Sequence, residues 1–325
     1  MKNLAGRVLA FGVSGALLVV LYRSLDLRLV GDALLRVDPL WLVVSVGMIV
    51  PITFLRAVRF FWVAPPGALP GVGEAFRLTL VASGLNVFMP AKTGDLVKSY
   101  FVATRSRTSA GISIAIVVYE RFCDLFGLIA WCLLGWLLGR PDVPGLPQAF
   151  WLVLGAIGAA CGLLIVSERV AAAARTLLAA ALPGRRLRKV RGLLEGWPLL
   201  LQRLRGRRRW IIPFSVLLWL AHLVQIWMFT IALSLDIPFT VAASLSAVAL
   251  MAGQLPFTVG GIGTRDVALV VLLSRYMRPE SAAALGVLVS TRNLLPPLMG
   301  VPIMRPYLTS VVAEARRWRG AEQAG

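Results

Sequence analysis

An all-α, polytopic membrane protein is the fold class this sequence predicts, and three observations predict it. Apolar residues fill 58% of the 325 positions while charged residues fill only 15%, far from the balance of a soluble domain. Mean hydropathy is +0.80. Several apolar runs reach the ~20 residues a helix needs to cross the hydrocarbon core of a bilayer. No segment reads as a separate soluble domain, so residues 1–325 read as a single integral membrane domain.

Six runs read as full spans: 4–22, 40–62, 109–138, 150–166, 211–235 and 281–304. The first has the basic start and apolar middle of a signal peptide, but no small-x-small cleavage site precedes Tyr22 and Arg23. It reads as a retained helix, with a cleaved signal as the other reading. Two further apolar regions, 74–104 and 241–274, are interrupted by polar Pro/Gly centres, GLNVFMPAKTGDLVKSYFV and QLPFTVGGIGTRD. Unpaired backbone groups cost several kcal/mol each in hydrocarbon, so such breaks survive only where they are buried in protein or line a wet cavity.

Basic loops orient the chain. Residues 167–210 carry twelve Arg and Lys against Glu168 and Glu195, which places that connection in the cytoplasm of a cell (inner) membrane. The N-terminus with Lys2 and Arg7, and the tail with Arg316, Arg317 and Arg319, follow it. The segments around Asp142 and Asp236 are poor in positive charge and read as outside. Threading six spans through these anchors makes both interrupted regions re-entrant helical hairpins that enter from opposite faces, the plan of transporters built from inverted repeats. If each hairpin crosses fully, eight spans result. Within residues 168–209, apolar positions recur at helical spacing beside Arg, the pattern of amphipathic helices on an anionic membrane surface. Positive-inside retention alone accounts for the same charges.

Composition also sets aside several classes of function. Cys123, Cys132 and Cys161 lie inside apolar runs with no metal-ligand spacing, and His222 has no neighbouring carboxylate or Cys, so it reads as a polar residue on an inner helix face. No metal or other cofactor is expected. The formal charge of +19 follows from basic flanks of membrane spans rather than from nucleic-acid binding. No GxxxxGK[ST] phosphate loop occurs, which leaves an ion gradient or the substrate gradient as the driving force.

Charges inside the spans carry the functional signal, because each costs at least ~2.5 kcal/mol at bilayer depth. Glu120, Arg121 and Asp124 stand half-way along the third span, with Glu120 and Asp124 four apart and hence on one face. Such a triad either pins helix to helix or faces a wet cavity. Arg56 and Arg59 share a face near the end of the second span, where snorkelling to headgroups is the alternative. Arg292 and Asn293 lie in the middle of the last. Lys92, Asp95 and Lys98 cluster at the first break, Arg265 and Asp266 at the second. The hairpins share a crude plan, an amide followed by Pro, Gly and an acid: Asn86, Pro90, Gly94 and Asp95, then Gln254, Pro256, Gly260 and Asp266. Gly261 and Gly263 complete the second turn. The surplus of Arg and Lys, approached by helix N-termini, suits an anion such as a phosphate.

The same residues resemble a known family. Asn86, Pro90, Gly94, Asp95 and Lys98, then Glu120, Arg121 and Asp124, then Pro256, Gly260, Gly261, Gly263, Arg265 and Asp266 match the motifs of the flippase-like family typified by the transmembrane region of lysylphosphatidylglycerol synthases. Departures are Asp95 and Asp266 where Glu is common, and Lys92 and Lys98 where Arg is frequent. The cytoplasmic aminoacyl-transfer domain of those synthases has no counterpart in these residues. The resemblance implies movement of an anionic phospholipid, glycolipid or polyprenyl-phosphate-linked lipid between leaflets, without lipid synthesis and without enzymatic chemistry. On that reading Lys92, Arg121, Arg265, Arg292, Asn86, Lys98, Arg56 and Arg59 contact the headgroup. Asp95, Glu120, Asp124 and Asp266 orient those cations or carry protons. Partners are then the lipid and the anionic membrane surface, with self-association or a lipid-synthesising enzyme left open. Two rivals fit the same sequence: a non-transporting partner of a glycosyltransferase or lipid-modifying enzyme, and an intramembrane lipid transferase using Glu120 or Asp124 as base.

Overall fold

Among the described residues, five helices are long and apolar enough to cross a membrane, at Pro39–Val63, Ala110–Gly139, Gln148–Val166, Arg208–Ala232 and Pro279–Thr309. They belong to a computed structural model that describes residues 2–88, 94–106, 108–143, 146–254, 258 and 261–323, with side chains left aside at 2–10, 87, 88, 185, 186, 189 and 310–323. The expected turn residues Pro90, Pro256 and Gly260, and the expected ligand Lys92, lie outside the described residues. In order, the helices are α1 (Lys2–Arg23), α2 (Leu27–Leu35), α3 (Pro39–Gly47), α4 (Ile49–Val63), α5 (Val72–Phe88), α6 (Leu96–Ser106), α7 (Ala110–Gly139) and α8 (Gln148–Val166). There follow α9 (Glu168–Ala181), α10 (Gly184–Arg203), α11 (Arg208–Ala232), α12 (Phe239–Ala252), α13 (Thr264–Leu272) and α14 (Pro279–Gln323). The first expected span corresponds to α1, which runs 22 residues. The second is α3 and α4 in series, broken at Met48, because Pro51 offers no N–H and its ring crowds the carbonyl of Gly47.

Contacts at helix ends sort the connections onto two sides. On one side an Arg207 guanidinium donates to the Trp62 carbonyl at 3.3 Å, Arg105 and Tyr307 donate to Glu74 at 2.7 and 3.0 Å, and Arg205 and Arg208 hold Glu168. The basic segment 168–209 is on this side. Hydrogen bonds from Arg205 keep the Glu168 carboxyl below its ordinary range. On the other side the Asp38 N–H meets the Ala232 carbonyl at 2.8 Å and the Asp142 N–H donates to the Tyr276 hydroxyl at 2.8 Å.

Both interrupted regions fold back on themselves. The arms α5 and α6 have 17 and 11 residues and α12 and α13 have 14 and 9. At ~1.5 Å per residue none reaches the ~30 Å of a hydrocarbon core. The first hairpin starts from the basic side, where Glu74 and Arg105 pair, and its tip residues Asp95 and Lys98 meet the middle of α7. The second starts from the opposite side, and Arg265 beyond its tip reaches Gly286 and Ser290 of α14. The geometry is that of two opposed hairpins rather than eight complete crossings.

Apolar packing follows the same division. One core joins α4, α5, α6, α7 and α10 around Phe60, Leu78, Ile116 and Leu201 on the basic side. Another joins α11, α12, α13 and α14 around Phe229, Leu245 and Leu285 on the far side. The intramembrane charges lie between them. One expectation changes here: α10 is not wholly a surface helix. Its second half buries Trp197, Leu200 and Leu201, and its C-cap Leu204, in the core shared with α7, while Leu177 of α9 stays exposed. The three cysteines are free and buried.

Candidate functional site: a charged layer at mid-depth

Arg59 is the largest buried side chain of the layer, 1% exposed. Its guanidinium pairs with Asp124 at 2.7 Å and Glu120 at 3.7 Å and donates to the Ser215 hydroxyl at 3.4 Å. Glu120 and Asp124 do share a face, and Arg59 is what they share. Snorkelling does not describe Arg59, because the first hairpin and α11 close over it. Arg56, one turn earlier, also faces inward and lines a cavity.

The first hairpin completes the layer. Lys98, 2% exposed, reaches Glu120 at 3.3 Å and Asp95 at 3.8 Å, with its ammonium 4.9 Å from the centre of the Phe60 ring. Arg121 pairs with Asp95 and, at 3.5 Å, with Asp124. The Asn86 amide donates to Asp95 at 3.3 Å. Gly94 is needed at this corner, since a Cβ there would stand 2.7 Å from the Asn86 backbone nitrogen. Among the described residues three cations thus meet three carboxylates, and these six charges balance. Isolated buried charges are too costly to persist, and mutual pairing is how they are retained.

Beside the layer is a cavity of about 100 Å3 between α4, α7, α11 and α14, lined by Arg56, Arg121, Asp124, Trp219, His222, Gln225, Arg292 and Asn293 together with Thr53 and apolar groups. Asp124, Trp219, His222 and Arg292 all fall near the middle of their spans, so the cavity is at mid-depth. Arg292 donates to His222 Nδ1 at 2.6 Å. A guanidinium has donors only, so Nδ1 accepts, and the neutral imidazole carries its proton on Nε2. The Trp219 indole N–H donates to Asp124 at 3.3 Å. Three cations face this cavity against one carboxylate, and Arg121 and Asp124 already belong to the balanced layer. Among the described residues, the surplus charge facing this cavity is therefore that of Arg56 and Arg292.

Arg265 and Asp266 stand elsewhere. The guanidinium bonds Asp266 at 2.6 and 3.0 Å, the Ser290 hydroxyl at 2.7 Å and the Gly286 carbonyl at 3.3 Å. Asp266 accepts the Gly263 N–H at 3.0 Å, capping α13. Gly263 and Gly261 have φ of +97° and +79°, a region that favours glycine, and a Cβ on Gly261 would collide with the Gly253 carbonyl. The N-terminus of α13 is thus closed by its own carboxylate, and Arg265 lines no part of the mid-depth cavity.

A larger groove of about 950 Å3 runs beside α4 and α11 on the basic side, walled by Phe61, Trp62, Phe214 and Leu217 with Arg207 and Trp210 at its mouth. It is mostly apolar and shares no lining residue with the ionic layer. Its character is that of surface facing lipid chains, with Trp and Arg at headgroup level.

The lysylphosphatidylglycerol synthase TM region family matches residues 7–299 of this chain. The chain belongs to that family. The match encloses every residue of the layer, the cavity and the second hairpin. A UPF0104 membrane protein of Methanothermobacter thermautotrophicus is 25% identical to this chain over 313 residues, covering 87% of this chain and 90% of the relative. The family motifs pointed to Asp95, Glu120, Arg121 and Asp124, but not to Arg59 as the shared partner of Glu120 and Asp124, nor to Trp219, His222 and Gln225 on the cavity wall. A His and an amide inside an apolar span were the available signals for the last two.

Proposed function

We propose that the protein moves a lipid with an anionic, phosphate-bearing headgroup between leaflets, the headgroup passing through the mid-depth cavity and the chains staying in the bilayer. The observation that carries this reading is the pair of cations, Arg56 and Arg292, that face a membrane-embedded cavity and have no carboxylate within 4 Å among the described residues. Uncompensated charge at that depth costs at least ~2.5 kcal/mol, and an anionic headgroup offsets it. The balanced layer holds Arg121 in place and joins the first hairpin to the cavity wall. The family takes its description from the membrane region of a synthase whose product is a lipid, which supports a lipid as the substrate. We read the protein as a carrier and not an enzyme, placed in the cytoplasmic membrane with both termini and the basic segment inside, in contact with anionic headgroups.

The test is reconstitution into vesicles with fluorescent phospholipids and polyprenyl phosphates, scored for transbilayer movement. Movement of an anionic lipid faster than in protein-free vesicles is expected, and equal rates for every lipid would overturn the reading. Orientation is checked separately: a Cys at position 188 should be labelled only from the cytoplasmic face and one beside Asp142 only from outside.

A further inference from the structure

The charge count around the cavity narrows the headgroup, given the lipid-moving reading above. Asp124 is matched by Arg59, and Arg121 by Asp95. Arg56 and Arg292 have no carboxylate within 4 Å among the described residues, and Arg292 is held by neutral His222. The Arg292 Nε–H is buried without an acceptor among those residues, leaving part of its planar fork available for an oxyanion. The cavity, about 100 Å3, is well below the ~300–1,000 Å3 of pockets that enclose drug-sized ligands. It suits a compact polar group rather than a sugar ring.

We infer that this cavity is a site for a phosphate monoester dianion, whether lipid-borne or free, in which Arg56 and Arg292 supply the two matching charges. A monoester carries about −1.5 to −2 at neutral pH, so it neutralises both cations. A phosphodiester headgroup has one negative charge and leaves one guanidinium unmatched. His222 serves as a positioning residue. By accepting from Arg292 it fixes the guanidinium, and its Nε2–H adds a neutral donor. Arg serves better than Lys here because two oxygens of one phosphate fit the guanidinium edge.

Binding tests this independently of transport. Purified protein in nanodiscs is titrated with dihexanoyl phosphatidic acid (terminal monoester), dihexanoyl phosphatidylglycerol (diester) and glycerol 3-phosphate (monoester without chains). The monoester lipid should bind at least about tenfold more tightly than the diester, the scale of leaving one charge unmatched at this depth. Arg292→Gln and Arg56→Gln should each erase most of that preference, while Arg292→Lys retains part of it. Glycerol 3-phosphate binding as tightly as the monoester lipid would assign the site to free phosphate, and weaker binding assigns it to the lipid. Equal affinity for monoester and diester in the wild-type protein overturns the inference. Selective binding without any transbilayer movement would instead sink the transport reading and leave the site standing.

Discussion

The two hairpins enter from opposite sides and differ in where their charges go. In the first, Asp95 and Lys98 pair with one another at 3.8 Å but make their closer contacts to another helix, reaching Arg121 and Glu120 of α7, and through Glu120 they couple to Arg59 of α4. In the second, Arg265 and Asp266 bond one another, Asp266 also caps its own helix, and the outward contacts to Gly286 and Ser290 are uncharged. A charge paired across helices is sensitive to any motion between those helices, whereas one paired within its own turn moves with it. The first hairpin is therefore wired to the cavity wall, and the second is a self-contained unit stapled to α14.

The largest expected effect comes from unbalancing the first hairpin's layer. Glu120→Ala leaves Lys98 and Arg59 short of a carboxylate and should destabilise the protein by about 3–5 kcal/mol, the usual cost of breaking one side of a buried ion pair. A thermal unfolding scan in mild detergent checks it. Removing both partners as Lys98→Met with Glu120→Leu should cost clearly less than the sum of the single changes. Additivity in that cycle would mean the two groups are not coupled across the layer.

In the second hairpin the backbone outweighs the charge. Gly261→Ala meets both a left-handed φ and the Gly253 carbonyl, so a loss of roughly 2–3 kcal/mol is expected. Arg265→Lys keeps the charge but loses the fork that reaches Asp266 and Ser290 together, for about 1–2 kcal/mol. Should Arg265→Lys prove more damaging to stability than Gly261→Ala, the view of this hairpin as a glycine-built turn with a local staple is wrong.

Much of this was legible in one dimension, for physical reasons. Apolar runs near 20 residues announce spans, and Pro and Gly between polar residues announce the hairpins, because lipid permits few other backbones. The common face of Glu120 and Asp124 follows from helical periodicity. What was not legible depends on contacts far apart in sequence. Arg59 is 61 positions before Glu120, and its nearness to a span end favoured a headgroup role that packing of the first hairpin and α11 removes. Arg292 and His222, 70 residues apart, meet only because α11 and α14 face the same cavity. In α10, Arg-rich periodicity suggested the membrane surface, while Trp197 and its neighbours turned half the helix into core.

The central claim is that the cavity beside the first hairpin, and not the second hairpin, handles the headgroup. It is tested most directly by the transbilayer rate of an anionic lipid, per correctly folded molecule, for Arg292→Gln against Arg265→Lys. Arg292→Gln should lower the rate at least about tenfold, since it removes one of the two unmatched cations, with little change in unfolding temperature. Arg265→Lys should lower the unfolding temperature and leave the rate within about twofold once folded protein is counted. A wild-type rate for Arg292→Gln, or a collapse of rate without loss of stability for Arg265→Lys, would contradict the account.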